Sequence, residues 1–202
     1  MLLSLAQVLI LAAHCAPASE PVTLAAIARV ESGFDDLAIG VNGPRPISLH
    51  PKDQGEAGLA AGSLIARGAN IDLGLAQINS KNLRWLGLSP SALFDPCTNL
   101  AAASTVLSAG ARLARRPGEA ALDAALSYYN TGHPSRGLAN GYVAKVRAAA
   151  LQIAPPGDGS APAASPAETR GGAPAWDVFG QPGAPGEGFV ITPAATAVGD
   201  RS

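Results

Sequence analysis

The chain has 202 residues, of which 48% are hydrophobic and only 4% are aromatic, and its net charge at pH 7 is −1. This length suffices for one good-sized domain with additional sequence, and the small net charge gives no electrostatic reason to expect nucleic acid as a partner. Because alanine dominates the hydrophobic residues, closely packed helices are favoured over a β-sandwich. The composition therefore predicts a mainly α-helical fold.

The N-terminal segment (residues 1–13) is apolar and lacks a basic residue. It is too short to span a bilayer, so we expect no transmembrane segment here. Two interpretations stay open. The segment is either a first amphipathic or buried helix of the domain, or a degenerate export signal that lacks the usual basic n-region.

The second predicted helix ends in a carboxylate. Leu24, Ile27 and Glu31 share one face of a 3.6-residue period, and Gly33 stops the helix. Apart from the glutamate this face is apolar, so burial would raise the pKa of Glu31 and allow it to act as a general acid near neutral pH. The alternative is a solvated Glu31 at the rim of the apolar face.

Residues 43–46, Gly-Pro-Arg-Pro, are a strong breaker, and short strands are predicted on either side of it. The segment is thus expected to be a small β-hairpin or a loop insertion. The segment 70–79 is apolar but interrupted by amide side chains and a glycine. The last predicted helix is continuous because Leu138, Tyr142 and Val146 lie four residues apart. Helices are predicted over residues 56–67, 80–85, 99–115, 119–129 and 135–153.

The two cysteines, Cys15 and Cys97, each lie at a predicted helix boundary, and they are either two buried thiols or one disulfide. We favour the disulfide, which would close a loop of about 80 residues and indicate an oxidising compartment. The spacing of the cysteines excludes a cysteine-rich metal site. The three histidines are isolated from one another, so neither a metal nor an organic cofactor is expected.

The composition changes at residue 154, after which the chain is rich in proline, glycine and alanine. Such a segment buries too little apolar surface to offset its chain entropy, so residues 154–202 are predicted to be a disordered tail after a domain of residues 1–153. Trp176-Asp177-Val178-Phe179 and Phe189-Val190-Ile191 interrupt the tail. These two clusters are either docking motifs for a partner or chance apolar residues.

Three motifs carry a family resemblance, and they are Glu31-Ser32-Gly33-Phe34, Gly74-Leu75-Ala76-Gln77-Ile78-Asn79 and Tyr128-Tyr129-Asn130-Thr131-Gly132. In this order they resemble the soluble-type lytic transglycosylases, which have a goose-type lysozyme fold. More narrowly, the chain is similar to the transglycosylase subunit of bacterial type IV secretion systems. Further matching stretches are residues 38–42, 72–74, 94–100 and 136–142. The resemblance runs from about residue 5 to residue 153 and leaves out the tail.

The resemblance implies an enzyme that cleaves the β-1,4 bond between N-acetylmuramic acid and N-acetylglucosamine and leaves a 1,6-anhydro end. Glu31 matches the family's single catalytic acid, which protonates the glycosidic oxygen and then takes the proton of the muramic acid 6-hydroxyl. Glycosidases usually need two carboxylates. In this family the 2-acetamido group of the substrate is thought to replace the second, so one glutamate is chemically sufficient.

The resemblance also implies the substrate-binding residues. Tyr129 would hydrogen-bond Glu31 or the acetamido group, Gln77 would donate to and accept from an N-acetyl group, and Gly74 would let the backbone approach the sugar. Ala76 stands where many relatives carry methionine, and Asn42 is a candidate substitute for a serine hydroxyl that is lost at Gly40. Asn130 is a further candidate, although holding its loop in place is the simpler role, and Tyr128 is given no role.

The implied partners are peptidoglycan strands and type IV secretion components, the latter contacted through the tail, and the implied location is the periplasm. A lysozyme-type hydrolase on the same fold is one alternative. It needs a second carboxylate, and no motif places Asp35, Asp36, Asp53, Glu56 or Asp72 for that task. The other alternative is a non-catalytic glycan-binding assembly subunit.

Overall fold

The computed structural model describes residues 2–115 and 117–154. The mainly helical class predicted from the sequence is confirmed. The tail predicted for residues 154–202 lies outside the described residues from 155 onwards. The helices are α1 (Leu5–Cys15), α2 (Pro21–Glu31), α3 (Gln54–Ala66), α4 (Leu83–Leu86), α5 (Pro96–Ala114), α6 (Gly118–Thr131), α7 (Arg136–Ala139) and α8 (Tyr142–Ile153). The strands are β1 (Ile39–Val41), β2 (Ile47–Leu49), β3 (Ile71–Leu73) and β4 (Ile78–Asn79).

Helix α2 lies at the centre of the core. Its residues 24–28 are fully buried, and three of these five are alanines, which let α1, α5 and α8 approach closely. Burial of Leu24 and Ile27 contributes about 1.5–3 kcal/mol each. Pro21 occupies the first turn, where no amide hydrogen is needed, and the Glu20 carboxylate caps the helix by accepting from the Thr23 amide at 2.8 Å.

Helix α1 is part of the folded domain. It begins with a capping box between Ser4 and Gln7, and Val8 and Ala12 are fully buried. At its end Cys15 forms a disulfide with Cys97 in the first turn of α5, the pairing favoured from the sequence. No helix in the described ranges has the length and apolarity to cross a membrane.

The four strands form one antiparallel sheet in the order β2-β1-β3-β4. The predicted hairpin is therefore only half of it, and the segment 70–79 supplies the other half. In the register of the sheet Gly40 pairs with Asp72, and Asp72 pairs with Asn79. Since cross-strand partners share a face, the sheet gathers these residues in one row.

The prediction of a single helix over residues 135–153 is wrong, because the structure has two helices there. Helix α7 ends at Ala139 and α8 begins at Tyr142, because Gly141 adopts a left-handed conformation with φ +82° between them. Leu138 is 50% exposed, so the three residues spaced four apart are not one buried stripe. The break places Tyr142 at the beginning of a helix instead of its middle.

Candidate active site

A cleft of about 220 Å³ opens between the sheet and the C-terminal turn of α6, and Glu31 forms part of its wall. Glu31 is the last residue of α2, so its side chain projects from the end of the most buried helix. Ser32 fixes this helix end, because its hydroxyl donates to the Leu75 carbonyl at 2.6 Å. The catalytic candidate is thereby held against the turn between β3 and β4.

The Glu31 carboxyl is largely removed from water, and this burial raises its pKa from 4.5 to about 7. The Tyr142 hydroxyl donates a hydrogen bond to Glu31 Oε1 at 2.5 Å and opposes that rise, while the negative charge of Asp72 adds to it. A substantial fraction of Glu31 is therefore protonated near neutral pH, as a general acid requires.

Tyr142 is a residue that the sequence reasoning missed. It lies in one of the stretches that match the family, but the helical spacing there indicated only a core position. The structure shows it at the beginning of α8, with its hydroxyl on the acid. Burial, the nearby charge of Glu31 and the Tyr129 phenol raise its pKa well above the ordinary value, so Tyr142 acts as a hydrogen-bond donor.

A second carboxylate, Asp72, faces the same cleft. Its two oxygens accept from the amide nitrogens of Asn42 and Asn79, each at 2.7 Å. Burial raises the pKa of Asp72, and both amide hydrogen bonds oppose the rise by stabilising the charged form. The sequence offered Asp72 only as one of five acidic residues, because the pairing of β1, β3 and β4 that brings it to Glu31 is a tertiary feature.

Gln77 also lines the cleft, in a left-handed conformation with φ +51°. Its side-chain nitrogen donates to the carbonyls of Ala38 at 3.1 Å and Gly74 at 2.8 Å. Both amide hydrogens are directed at the backbone, so Gln77 offers a ligand its oxygen as an acceptor instead of the donor and acceptor pair that we expected.

Gly40 makes room for this glutamine. A Cβ atom at position 40 would lie 2.8 Å from Gln77 Oε1 and 3.6 Å from the Asp72 Cβ. A serine here would therefore displace the Gln77 amide. Asn42, two residues further along and exposed at the cleft edge, binds Asp72.

The two tyrosines at the end of α6 both line the cleft. The Tyr129 hydroxyl donates to the Ala76 carbonyl at 2.7 Å, so the hydrogen bond to Glu31 that the resemblance suggested for Tyr129 comes from Tyr142. Tyr128, which we gave no role, also faces the cleft. The neighbouring Asn130 lines it as well, and its side-chain oxygen accepts from Asn140 at 2.9 Å.

Gly74 and Ala76 are buried beneath the cleft and are not among its lining residues. Gly74 has φ +71°, and a Cβ atom there would collide with the Leu93 carbonyl and the Asn99 amide. The close approach that needs this glycine is therefore to Leu93 and to Asn99 of α5, not to a sugar. Ala76 contributes its carbonyl to Tyr129 and its amide to Asn99, at 2.8 Å.

Asn99, a fully buried residue of α5, was also missed. Its side chain donates to the carbonyls of Leu73 at 2.9 Å and Leu93 at 2.7 Å, and it accepts from Ala76. A single amide thus holds the turn that presents Gln77. Among the described residues, no three histidine, cysteine, aspartate or glutamate side chains are grouped so as to hold a metal ion.

A cleft carboxyl with a raised pKa at a helix end, bound by a phenol, is suited to general acid catalysis. The family described as Transglycosylase SLT domain matches residues 8–150, which is most of the described chain. The chain belongs to this family. The match includes Glu31, Asp72, Gln77, Tyr129 and Tyr142, and it confirms the resemblance drawn from the motifs.

Curated relatives of this SLT protein carry the name virB1. Protein virB1 of Agrobacterium fabrum is 41% identical over 184 residues, which cover 88% of this chain and 72% of the relative. Protein virB1 of Rhizobium radiobacter is 42% identical over 71% of this chain, and the match spans 61% of the relative. Type IV secretion system protein virB1 of Brucella abortus is 43% identical over 70% of this chain and spans 63% of the relative. No solved structure matches the chain.

Proposed function

We propose that this SLT protein is a peptidoglycan lytic transglycosylase in which Glu31 serves as both acid and base. The observation that carries the proposal is Glu31 itself, a cleft carboxyl with a pKa of about 7 and a phenol 2.5 Å from its oxygen. The substrate is the β-1,4 bond between N-acetylmuramic acid and N-acetylglucosamine. Membership of the transglycosylase family supports this choice of substrate.

In the first step the Glu31 proton passes to the glycosidic oxygen, which leaves with the electron pair of the bond to C1. The resulting Glu31 carboxylate is stabilised by the Tyr142 hydroxyl, whose hydrogen bond favours the charged form. Tyr142 thus lowers the cost of giving up the proton, while burial keeps the proton in place until substrate arrives.

In the second step Glu31 takes the proton of the muramic acid 6-hydroxyl. The O6 oxygen then bonds to C1 and closes the 1,6-anhydro ring, and Glu31 regains its starting protonation state. No water enters the product. The positive charge that develops at C1 is met by the acetamido group of the sugar and by the nearby negative charge of Asp72.

Gln77 and the tyrosines provide the sugar contacts in this proposal. Gln77 Oε1 accepts from the N–H of an N-acetyl group, since the side-chain nitrogen is bound to the backbone. Tyr128 and Tyr129 supply aromatic surface to the cleft. Asn42 and Asn130 contribute indirectly, through Asp72 and through the loop before α8.

The relatives named for type IV secretion indicate where such a reaction is used. We propose that the enzyme opens the peptidoglycan layer locally for a secretion or conjugation apparatus, and that it works in the periplasm. The Cys15–Cys97 disulfide supports an oxidising compartment. Recruitment by the apparatus through residues 154–202 belongs to the same proposal.

Digestion of purified sacculi tests the reaction. The wild-type chain releases muropeptides that mass spectrometry finds lighter by one water than hydrolysis products, and Glu31→Gln lowers their release by at least about 10²-fold while circular dichroism is unchanged. Full release by a folded Glu31→Gln variant would instead contradict a catalytic role for Glu31.

A lysozyme-type hydrolase is the second candidate, and the position of Asp72 in the cleft is the observation that favours it. A hydrolase needs a carboxylate that activates water. Both Asp72 oxygens already accept amide hydrogen bonds, which fits a fixed charge better than a base. Reducing-end products in the digestion would decide for hydrolysis.

A further inference from the structure

Helices α2, α6 and α8 carry Glu31, Tyr129 and Tyr142 at the active-site cleft, and a second depression lies at their other end. No part of the proposed reaction uses this depression. It occupies about 370 Å³ and is lined by the beginning of α2, the middle of α6 and the second half of α8. Helix α2 rises about 1.5 Å per residue, so its 11 residues separate this depression from Glu31 by roughly 15 Å. We call it the distal groove.

The distal groove is apolar. Its floor is made of Leu122, Leu126 and Val146, which are 4%, 1% and 1% exposed. Its rim carries Leu151, which is 81% exposed on the last turn of α8. Together the apolar floor and the exposed leucine at the rim offer a surface on which an apolar side chain is buried on docking.

The charged groups at the rim are engaged with each other or with the backbone. Arg147 binds Asp123 at 2.6 Å and lies 3.9 Å from Glu119. The Glu20 carboxylate accepts from the amide of Thr23. The groove therefore selects an apolar or aromatic occupant over an ionic one.

The course of the chain indicates which occupant this is. Ala154, the last described residue, is itself part of the groove lining, so residues 155–202 begin at this surface. Trp176-Asp177-Val178-Phe179 follows after 21 intervening residues, which reach at most about 70 Å when fully extended. A segment tethered this closely has an effective concentration of the order of millimolar, so a weak contact suffices to keep it bound.

We propose that Trp176 and Phe179 dock into the distal groove of their own chain. Aromatic side chains are the anchors that pockets of this kind hold best, and a single helical turn presents residues three apart on one side. The docked segment covers the exposed Leu151 and holds the start of the tail at the end of the domain away from the active-site cleft. This assignment is independent of the proposed reaction.

Fluorescence of Trp176 in the full-length chain tests the docking. The chain has two tryptophans, Trp85 and Trp176, so a Trp85→Phe background leaves Trp176 as the sole reporter. A synthetic peptide of residues 155–202 gives the emission and acrylamide quenching of the same tryptophan without the groove. We expect the full chain to show blue-shifted emission and weaker quenching than this peptide.

Two matched leucine variants in that background decide the site. Leu151→Glu places a charge on the groove rim, whereas Leu59→Glu alters an equally exposed leucine, 79% exposed on α3, that does not line the groove. Docking predicts that Leu151→Glu shifts the emission and quenching to those of the peptide, and that Leu59→Glu leaves them unchanged. Circular dichroism of both variants checks that the domain stays folded.

Three results would overturn the proposal. The first is an emission of the full chain equal to that of the peptide. The second is a blue-shifted emission that Leu151→Glu leaves unchanged. The third is a blue shift that disappears on dilution. The last result would assign the groove to the tail of a second copy of the chain.

Discussion

The two carboxyl groups in the cleft, Glu31 and Asp72, have different hydrogen-bond partners. Glu31 receives one hydrogen bond, from Tyr142, and its burial dominates, so its pKa rises to about 7. Asp72 receives two amide hydrogen bonds, which stabilise its charged form and oppose the rise in pKa that burial causes there as well. In the proposed reaction Glu31 is therefore the acid, and Asp72, with both oxygens bound to amides, is the better candidate for a fixed charge.

Asp72→Asn removes a negative charge that raises the pKa of Glu31. Activity that requires protonated Glu31 falls as the pH rises through this pKa, so the alkaline limb of the kcat/KM profile moves to lower pH in the variant. At pH 7 we expect kcat/KM to fall roughly two- to tenfold. Soluble glycan strands assayed from pH 5 to 9 give the profile, and an unshifted limb would contradict the influence of Asp72 on the acid.

Tyr142→Phe has the opposite effect on the profile. It removes the hydrogen bond that lowers the pKa of Glu31, so the alkaline limb moves to higher pH. The rate on the plateau still falls, by roughly tenfold, because the Glu31 carboxylate loses its donor after proton transfer. The same titration, run beside Tyr128→Phe as a control that leaves the acid untouched, separates a specific shift from a general loss of activity.

At the level of elements, the cleft depends on how the turn between β3 and β4 meets α5. Asn99 binds three backbone groups around this turn, and Gly74 provides the space for its amide. This β3–β4 turn then sets the position of Gln77 and of the Ala76 carbonyl that binds the Tyr129 hydroxyl. The two residues proposed to bind substrate, Gln77 and Tyr129, therefore rely on one buried asparagine.

Gly74→Ala tests this arrangement. The alanine would occupy a left-handed conformation and collide with Asn99 and the Leu93 carbonyl, so we expect a loss of about 2–5 kcal/mol in the free energy of unfolding. Urea denaturation measures it. Gly62→Ala, at an open position of α3, is the control and should be neutral or stabilising by about 0.5–1 kcal/mol. Equal stabilities of the two variants would show that the turn yields to a side chain at Gly74.

For the whole molecule, α2, α6 and α8 connect the active-site cleft at one end to the distal groove at the other. The disulfide between Cys15 and Cys97 lines neither the cleft nor the groove. It joins α1 to the first turn of α5, and the two cysteines are 82 residues apart in sequence. A cross-link between residues this far apart in sequence removes much of the chain entropy of the unfolded state. The bridge therefore stabilises the domain mainly by making the unfolded state less favourable.

Replacing Cys15 and Cys97 together by alanine should lower the free energy of unfolding by about 2–5 kcal/mol. The measurement is urea denaturation of the variant and of the oxidised wild type, with the reduced wild type as the matched control. Neither cysteine lines the cleft, so release of anhydro products at temperatures where the variant is folded should be retained. A loss of release without unfolding would show that α1 influences the site.

The sequence by itself determined the helical class, and its motifs proposed Glu31 as the acid and the segments that surround it. Those features are local, because a helix end, a glycine stop and short motifs are encoded within a few residues. It also indicated the disulfide, although it left two buried thiols as an alternative. Gln77 and Tyr129 were proposed from motifs of the same kind, and both line the cleft with Glu31.

Only the tertiary structure decided which groups act on the acid. Tyr142 reaches Glu31 from 111 residues further along the chain, and Asp72 reaches the cleft through strands of two or three residues that show no periodic pattern. The burial that raises the pKa of Glu31 is likewise a property of the packed helices and not of α2 alone. Contacts between residues far apart in sequence leave no local signal, so the chemistry of the site appears only when the chain is folded.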